Sequence, residues 1–167
     1  ILSGEDGLAD TIVPRFMAAG GDPDRVIALT SCPDKDGKGE HPPVLPDDLP
    51  TIRIAMARVD AKLIIIDPLM AYLSSGTNSH KDQDIRRMLF QVAQLAEETG
   101  AAVLVVRHLN KSTGGSALYR GGGSIGIIGA ARSGLLVAAD PDDDTHRVLA
   151  STKCNLGPPP DSLTFHL

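Results

Sequence analysis

The chain has 167 residues, 42% hydrophobic and 22% charged, and its 16 Lys and Arg against 21 Asp and Glu leave a formal net charge of −5. A chain of this length buries about 69% of the surface it exposes when unfolded, enough for one core without disulfide or metal staples. These values exclude wholesale disorder and, with 2 Cys and no apolar run near the ~20 residues of a membrane span, a disulfide scaffold or a membrane-spanning chain; a cytoplasmic protein with no membrane partner is expected.

The chain opens on Ile1-Leu2-Ser3-Gly4-Glu5-Asp6, an apolar pair running into acids, as the end of a buried strand does. With no initiator Met, a fragment lacking an N-terminal part is expected. Leu8, Ile12, Phe16 and Ala19 recur at helical spacing and predict a helix over 8–19, stopped by Gly20-Gly21, with Pro14 in an early turn or at a kink. Val26-Ile27-Ala28-Leu29 predicts a short buried strand. Pro33, Pro42, Pro43, Pro46 and Pro50, set among Asp, Lys and Gly, make residues 32–50 a surface loop or insertion.

Ile52, Ala55, Met56 and Val59 form one helical stripe over 51–59. Lys62-Leu63-Ile64-Ile65-Ile66-Asp67 is an apolar run closed by a carboxylate, the pattern of a parallel strand buried on both faces. Residues 82–98 predict the clearest helix, with Ile85, Met88, Leu89, Val92 and Ala96 on one face, Asp82 as its cap and Gly100 as its stop. Residues 101–106 predict a second buried strand, completing a strand–helix–strand unit that is right-handed by default. The stretch 108–123 is polar and Gly-rich; a short helix over 124–131 follows, then strands over 135–138, 148–152 and 162–167, the first two a hairpin around the acidic turn 140–144.

Ligands of open α/β sheets bind beyond the carboxyl ends of the strands, where Glu5-Asp6, Asp67 and Arg107-His108 stand. Asp67 could hold a hydrated Mg²⁺ through one or two oxygens, or simply shape the turn before Pro68. Glu5 could orient a water beside a terminal phosphate, or merely favour the start of the next helix. His108, Arg107, Lys111 and Arg120 offer donors to a phosphoryl group or a nucleic-acid backbone. His80, Asp82 and Asp84 lack metal-ligand spacing, and the Asp140 to Asp144 tract lacks that of a calcium loop. No G-x-x-x-x-G-K-S/T phosphate loop occurs.

In order, Leu2-Ser3-Gly4-Glu5-Asp6, Leu63-Ile64-Ile65-Ile66-Asp67-Pro68-Leu69, Val105-Val106-Arg107-His108-Leu109-Asn110-Lys111 and Tyr119-Arg120-Gly121 resemble the RecA-like AAA ATPases related to plasmid RepA-type replicative helicases. The resemblance implies a single, partial RecA-like domain over 1–167: an α/β core with a mostly parallel sheet flanked by helices and a C-terminal antiparallel hairpin. It implies ATP and Mg²⁺ as cofactors, with Glu5 the catalytic acid, Asp67 the Walker B Asp and metal ligand, His108 the phosphate sensor and Arg120 an arginine finger acting on a neighbouring subunit. It further implies a hexameric ring whose channel loop, with Lys111 and Arg120, grips single-stranded DNA. Because the family's P-loop would precede Ile1, truncation and an inactive isolated chain are expected. Two other readings compete: a non-catalytic nucleic-acid or protein-binding module that keeps the fold, and a metal-dependent hydrolase using Asp67 with His108 or His80. The acidic pI near 5.4 and the absence of Trp leave a nucleic-acid site to rely on charge and backbone rather than base stacking.

Overall fold

The computed structural model describes residues 1–109 and 123–166. Strand β1 (Leu2–Ser3) is followed by a π turn (Leu8–Ile12) that passes into helix α1 (Val13–Ala18), with Pro14 in the first turn of the α-helical part. The predicted helix over 8–19 is thus two pieces, and none of its residues is buried. Gly20, at φ 81°, supplies the left-handed stop.

The predicted strand over 26–29 is neither regular nor buried. Ile27 accepts a bond from the Ile1 amine at 2.6 Å and Leu29 N–H donates to Ile1 O at 3.0 Å, a single parallel contact along β1, and Val26 and Ile27 stay exposed. Only Leu29 of the segment packs against the core, and it is partly buried.

Residues 32–50 are also more than a surface loop. Strands β2 (Cys32–Pro33) and β3 (Glu40–His41) pair antiparallel, Cys32 and Leu45 are fully buried, and Leu49 already opens helix α2 (Leu49–Arg58) with Pro50 in its first turn.

Strand β4 (Leu63–Asp67) lies between β1 and β5 (Ala102–Val105), all parallel, with Leu2 opposite Ile66, Ser3 opposite Asp67 and Ile66 opposite Val105. Helix α3 (Asp82–Thr99) connects β4 to β5 and ends at Gly100, φ 67°. Burial on both strand faces does not hold: Ile64 and Ile66 point into the core, whereas Leu63 and Leu104 are exposed. The period-2 alternation of a strand places those residues on the opposite faces, and among the described residues the core helices pack on the face of Ile64 and Ile66. The roof is α2, through Ile52 and Met56, and α3, through Ile85, Met88, Leu89, Val92 and Leu95; Leu95, rather than the expected Ala96, completes the buried stripe.

Asp82 does not cap α3. Lys81 is the N-cap, and the Asp82 carboxylate instead pairs with Arg86 and accepts the Ser124 hydroxyl at 3.1 Å, which depresses its pKa, chiefly through Arg86. That bond ties α3 to helix α4 (Gly126–Ala130), whose Ile127 joins the core. The chain then forms an antiparallel sheet of β6 (Ser133–Ala139), β7 (His146–Cys154) and β8 (Leu163–His166) in the order 6-7-8. The expected hairpin is present, and Asp143 folds its turn by accepting from Thr145 and His146. No helix among the described residues is long and apolar enough to cross a membrane.

Candidate active site

Three adjacent parallel strands deliver three polar side chains to one end of the sheet. Asp67 is the last residue of β4, Glu5 follows β1 by one glycine, and His108 follows β5 after Val106 and Arg107. The ladder continues past the strands to fix them: Gly4 N–H donates to Asp67 O at 2.8 Å, and Val106 N–H to Ile66 O at 2.9 Å. Leu69 N–H then donates to Val106 O at 3.0 Å, folding the chain after Asp67 back over the strand ends as a 3₁₀ turn (Leu69–Tyr72).

Within this frame His108 Nε2 lies 2.9 Å from Glu5 Oε2, although the two are 103 positions apart. Their side chains are 66% and 58% exposed, so the pair is open to an incoming ligand. A carboxylate only accepts hydrogen bonds, which places the donated proton on Nε2 and leaves the other ring nitrogen for a second partner. The places of Glu5 and His108 beyond strand ends are legible in the sequence; their direct pairing is not.

Asp67 is half-buried, beside a residue that sequence reasoning passed over. Tyr72, only 5% exposed, has its phenol pKa raised by burial and then by the Asp67 charge. A tyrosine at the end of the turn that follows an apolar strand was the available signal. The Tyr72 ring lies against Gly4, where a Cβ would come within 3.4 Å of the hydroxyl and 2.8 Å of Ala71 Cβ. Arg107 is half-buried, and burial lowers its pKa.

Asp6 and His80 do not join this cluster. Asp6 turns away to an exposed pair with Arg15 at 3.4 Å. His80 is exposed in a turn, its N–H bonded to Asn78 Oδ1 at 2.9 Å. Lys111 and Arg120 lie outside the described residues. Among the described residues no three His, Cys, Asp or Glu side chains gather as a metal cage. The hard oxygens of Asp67 and Glu5 instead suit an ion held by one or two carboxylates and completed by substrate phosphates and water, as Mg²⁺ usually is.

Residues 1–114 match the family described as AAA domain. Among solved structures, the chain is similar to one described as an ATPase domain (TM-score 0.53, 14% identity, covering 70% of this chain and 46% of that one). It is also similar to the RadB recombinase (TM-score 0.57, 15% identity, covering 99% of this chain and 73% of that one). The chain therefore spans less than half of the first of these, and at such identities the likeness concerns the fold. A comparison with curated proteins finds no match.

Proposed function

We propose, from the premise that this chain belongs to the AAA domain family and has a RecA-like α/β core, that it is the hydrolytic part of an ATP-driven motor acting on DNA. The observation that carries this reading is the convergence of Glu5, Asp67 and His108 at three neighbouring strand ends, with Glu5 and His108 in contact.

In this proposal Asp67 and the phosphates of ATP hold Mg²⁺, which when bound offsets charge on the transferring phosphoryl group. Glu5 accepts a hydrogen bond from the attacking water and orients it toward the γ-phosphate. His108, donating through Nε2, fixes the direction of the Glu5 carboxylate and registers whether a γ-phosphate is present. No residue of the sequence forms a G-x-x-x-x-G-K-S/T loop, so the proposal assigns to this chain the water, metal and phosphate-sensing side of the site and not the phosphate cradle. Residues 1–167 act as one domain, assembled as a ring, with a hexamer the leading form. Arg120 serves the neighbour's site, and Lys111 and Arg120 grip single-stranded DNA.

The test is Glu5→Gln in the intact protein, which keeps the side chain's size and removes its charge. ATP hydrolysis should fall about 10²–10⁴-fold while nucleotide binding, read with a fluorescent ATP analogue, persists. Hydrolysis at the wild-type rate would remove Glu5 from the role.

A further inference from the structure

Outside the site the most complete polar constellation surrounds His41. Its Nδ1 lies 2.9 Å from Asp34 Oδ1 and its Nε2 2.9 Å from Asp48 Oδ2. Ionised carboxylates only accept, so both ring nitrogens must donate, and only the imidazolium does that. Asp48 is the more deeply set acid, its side chain 11% exposed against 44% for Asp34. It stands at the N-cap of α2 but makes no side-chain cap bond there. Its Oδ2 accepts Val44 N–H at 2.7 Å, while Asp48 N–H returns a bond to Val44 O at 2.8 Å.

Those bonds fix the residue that follows. Leu45 is fully buried; its N–H donates to Tyr72 O at 2.6 Å and its carbonyl accepts from Ser74 N–H at 3.0 Å, a parallel bridge to Leu73. Leu45 thereby holds the turn whose Tyr72 ring covers Gly4 and adjoins Asp67.

We propose that Asp34, His41 and Asp48 form a proton-operated clasp: the imidazolium joins the β2–β3 hairpin to the start of α2 and keeps Leu45 paired with residues 72–74, and loss of its proton loosens that pairing. The groups facing the ring are few. Asp34 comes from the hairpin turn and Asp48 from the start of α2. From β2, the buried Cys32 thiol is pushed up to about 11 by burial first and then by Asp48, so it stays neutral. Glu40 is turned to Ser31 Oγ at 2.6 Å. Among the described residues neither Asp34 nor Asp48 has another ion-pair partner. Deprotonation leaves two facing carboxylates, one of them buried, and at least one ring nitrogen presenting a lone pair to an acid.

The hydrogen bonds to Asp48 and then Asp34 raise the His41 pKa above 6.5. Because the folded value is the higher one, the stabilisation is complete below the unfolded value and is lost as pH rises through the folded one. The test follows the His41 ring nitrogens of the intact protein by ¹H–¹⁵N correlation across neutral pH, together with exchange protection of the Leu45 and Ser74 amides corrected for intrinsic rates. Both nitrogens should be protonated below a midpoint higher than 6.5, and protection should be lost progressively as pH rises to and through that midpoint. Asp34→Asn, at a half-exposed site, should lower the midpoint with the fold retained. His41→Gln should abolish the pH dependence of protection. A midpoint at or below 6.5, or protection unchanged across it, overturns the clasp. Neither readout uses nucleotide, so the result stands apart from the ATPase reading.

Discussion

Gly4 is where a single hydrogen in place of a methyl group decides the geometry of the site. Its backbone joins the ladder to Asp67, and the space its side chain would fill belongs to Ala71 and Tyr72, with Ala71 Cβ only 2.8 Å from where a methyl carbon on residue 4 would stand. Gly4→Ala should therefore lower stability by about 1–3 kcal/mol in chemical denaturation, the range for overfilling a packed contact. It should also displace Glu5 from His108, which ring-nitrogen chemical shifts of His108 would report; unchanged stability and shifts would mean that the 3₁₀ turn yields freely. At this scale the chain was partly legible. Glu5, Asp67 and His108 each follow an apolar run, so their places at strand ends could be read. The Glu5–His108 bond and the Tyr72 ring over Gly4 could not, because each joins segments that only the strand order brings together.

Among the elements, α4 shows how a short helix is secured from outside itself. It has only the residues Gly126–Ala130 and no side-chain cap, yet Lys153 on β7 donates to the carbonyls of Ile128 at 2.9 Å, Gly129 at 2.9 Å and Ala131 at 2.6 Å. A cation on the last carbonyls offsets the negative end of the helix dipole and satisfies acceptors the helix cannot. Lys153→Met keeps the aliphatic stem and removes the donor, and should cost about 1.5–3 kcal/mol, the range for bonds to a charged group. Urea denaturation measures the loss; a wild-type midpoint would show that water replaces the ammonium without penalty. Element type was largely readable, since α2, α3, β4 and the β6–β7 hairpin all announce their periods. Exposure was not: Val26, Ile27 and Leu104 are as apolar as core residues and remain exposed, because burial depends on what packs against a side chain and not on its own apolar character.

Across the molecule, the core draws on β1, β4, α2, α3 and α4, and no described residue of β6, β7 or β8 belongs to it. Leu135, Val137 and Leu163 on that sheet are exposed, so its stability rests on backbone pairing more than on buried apolar contact. Local stability follows burial, so amides of β6–β8 should exchange at lower opening free energy than those of β4 and α3 in native-state hydrogen exchange. Equal protection throughout would show that the two sheets open as one unit.

The sequence by itself determined that the chain alternates strands and helices around a parallel sheet, that an antiparallel hairpin follows, and that acids and a histidine stand at strand ends. These are properties of periodicity and of residue type at a boundary, which a linear chain records directly. Only the tertiary structure decided which apolar strands are covered, that Glu5 meets His108, that Asp48 turns from its helix to His41, and that Leu45 reaches residues 72–74. Except for the Asp48–His41 contact, which spans seven positions, these depend on segments well separated in the chain arriving at one place, and the free energy that brings them there is the burial of a shared core, which belongs to no segment alone.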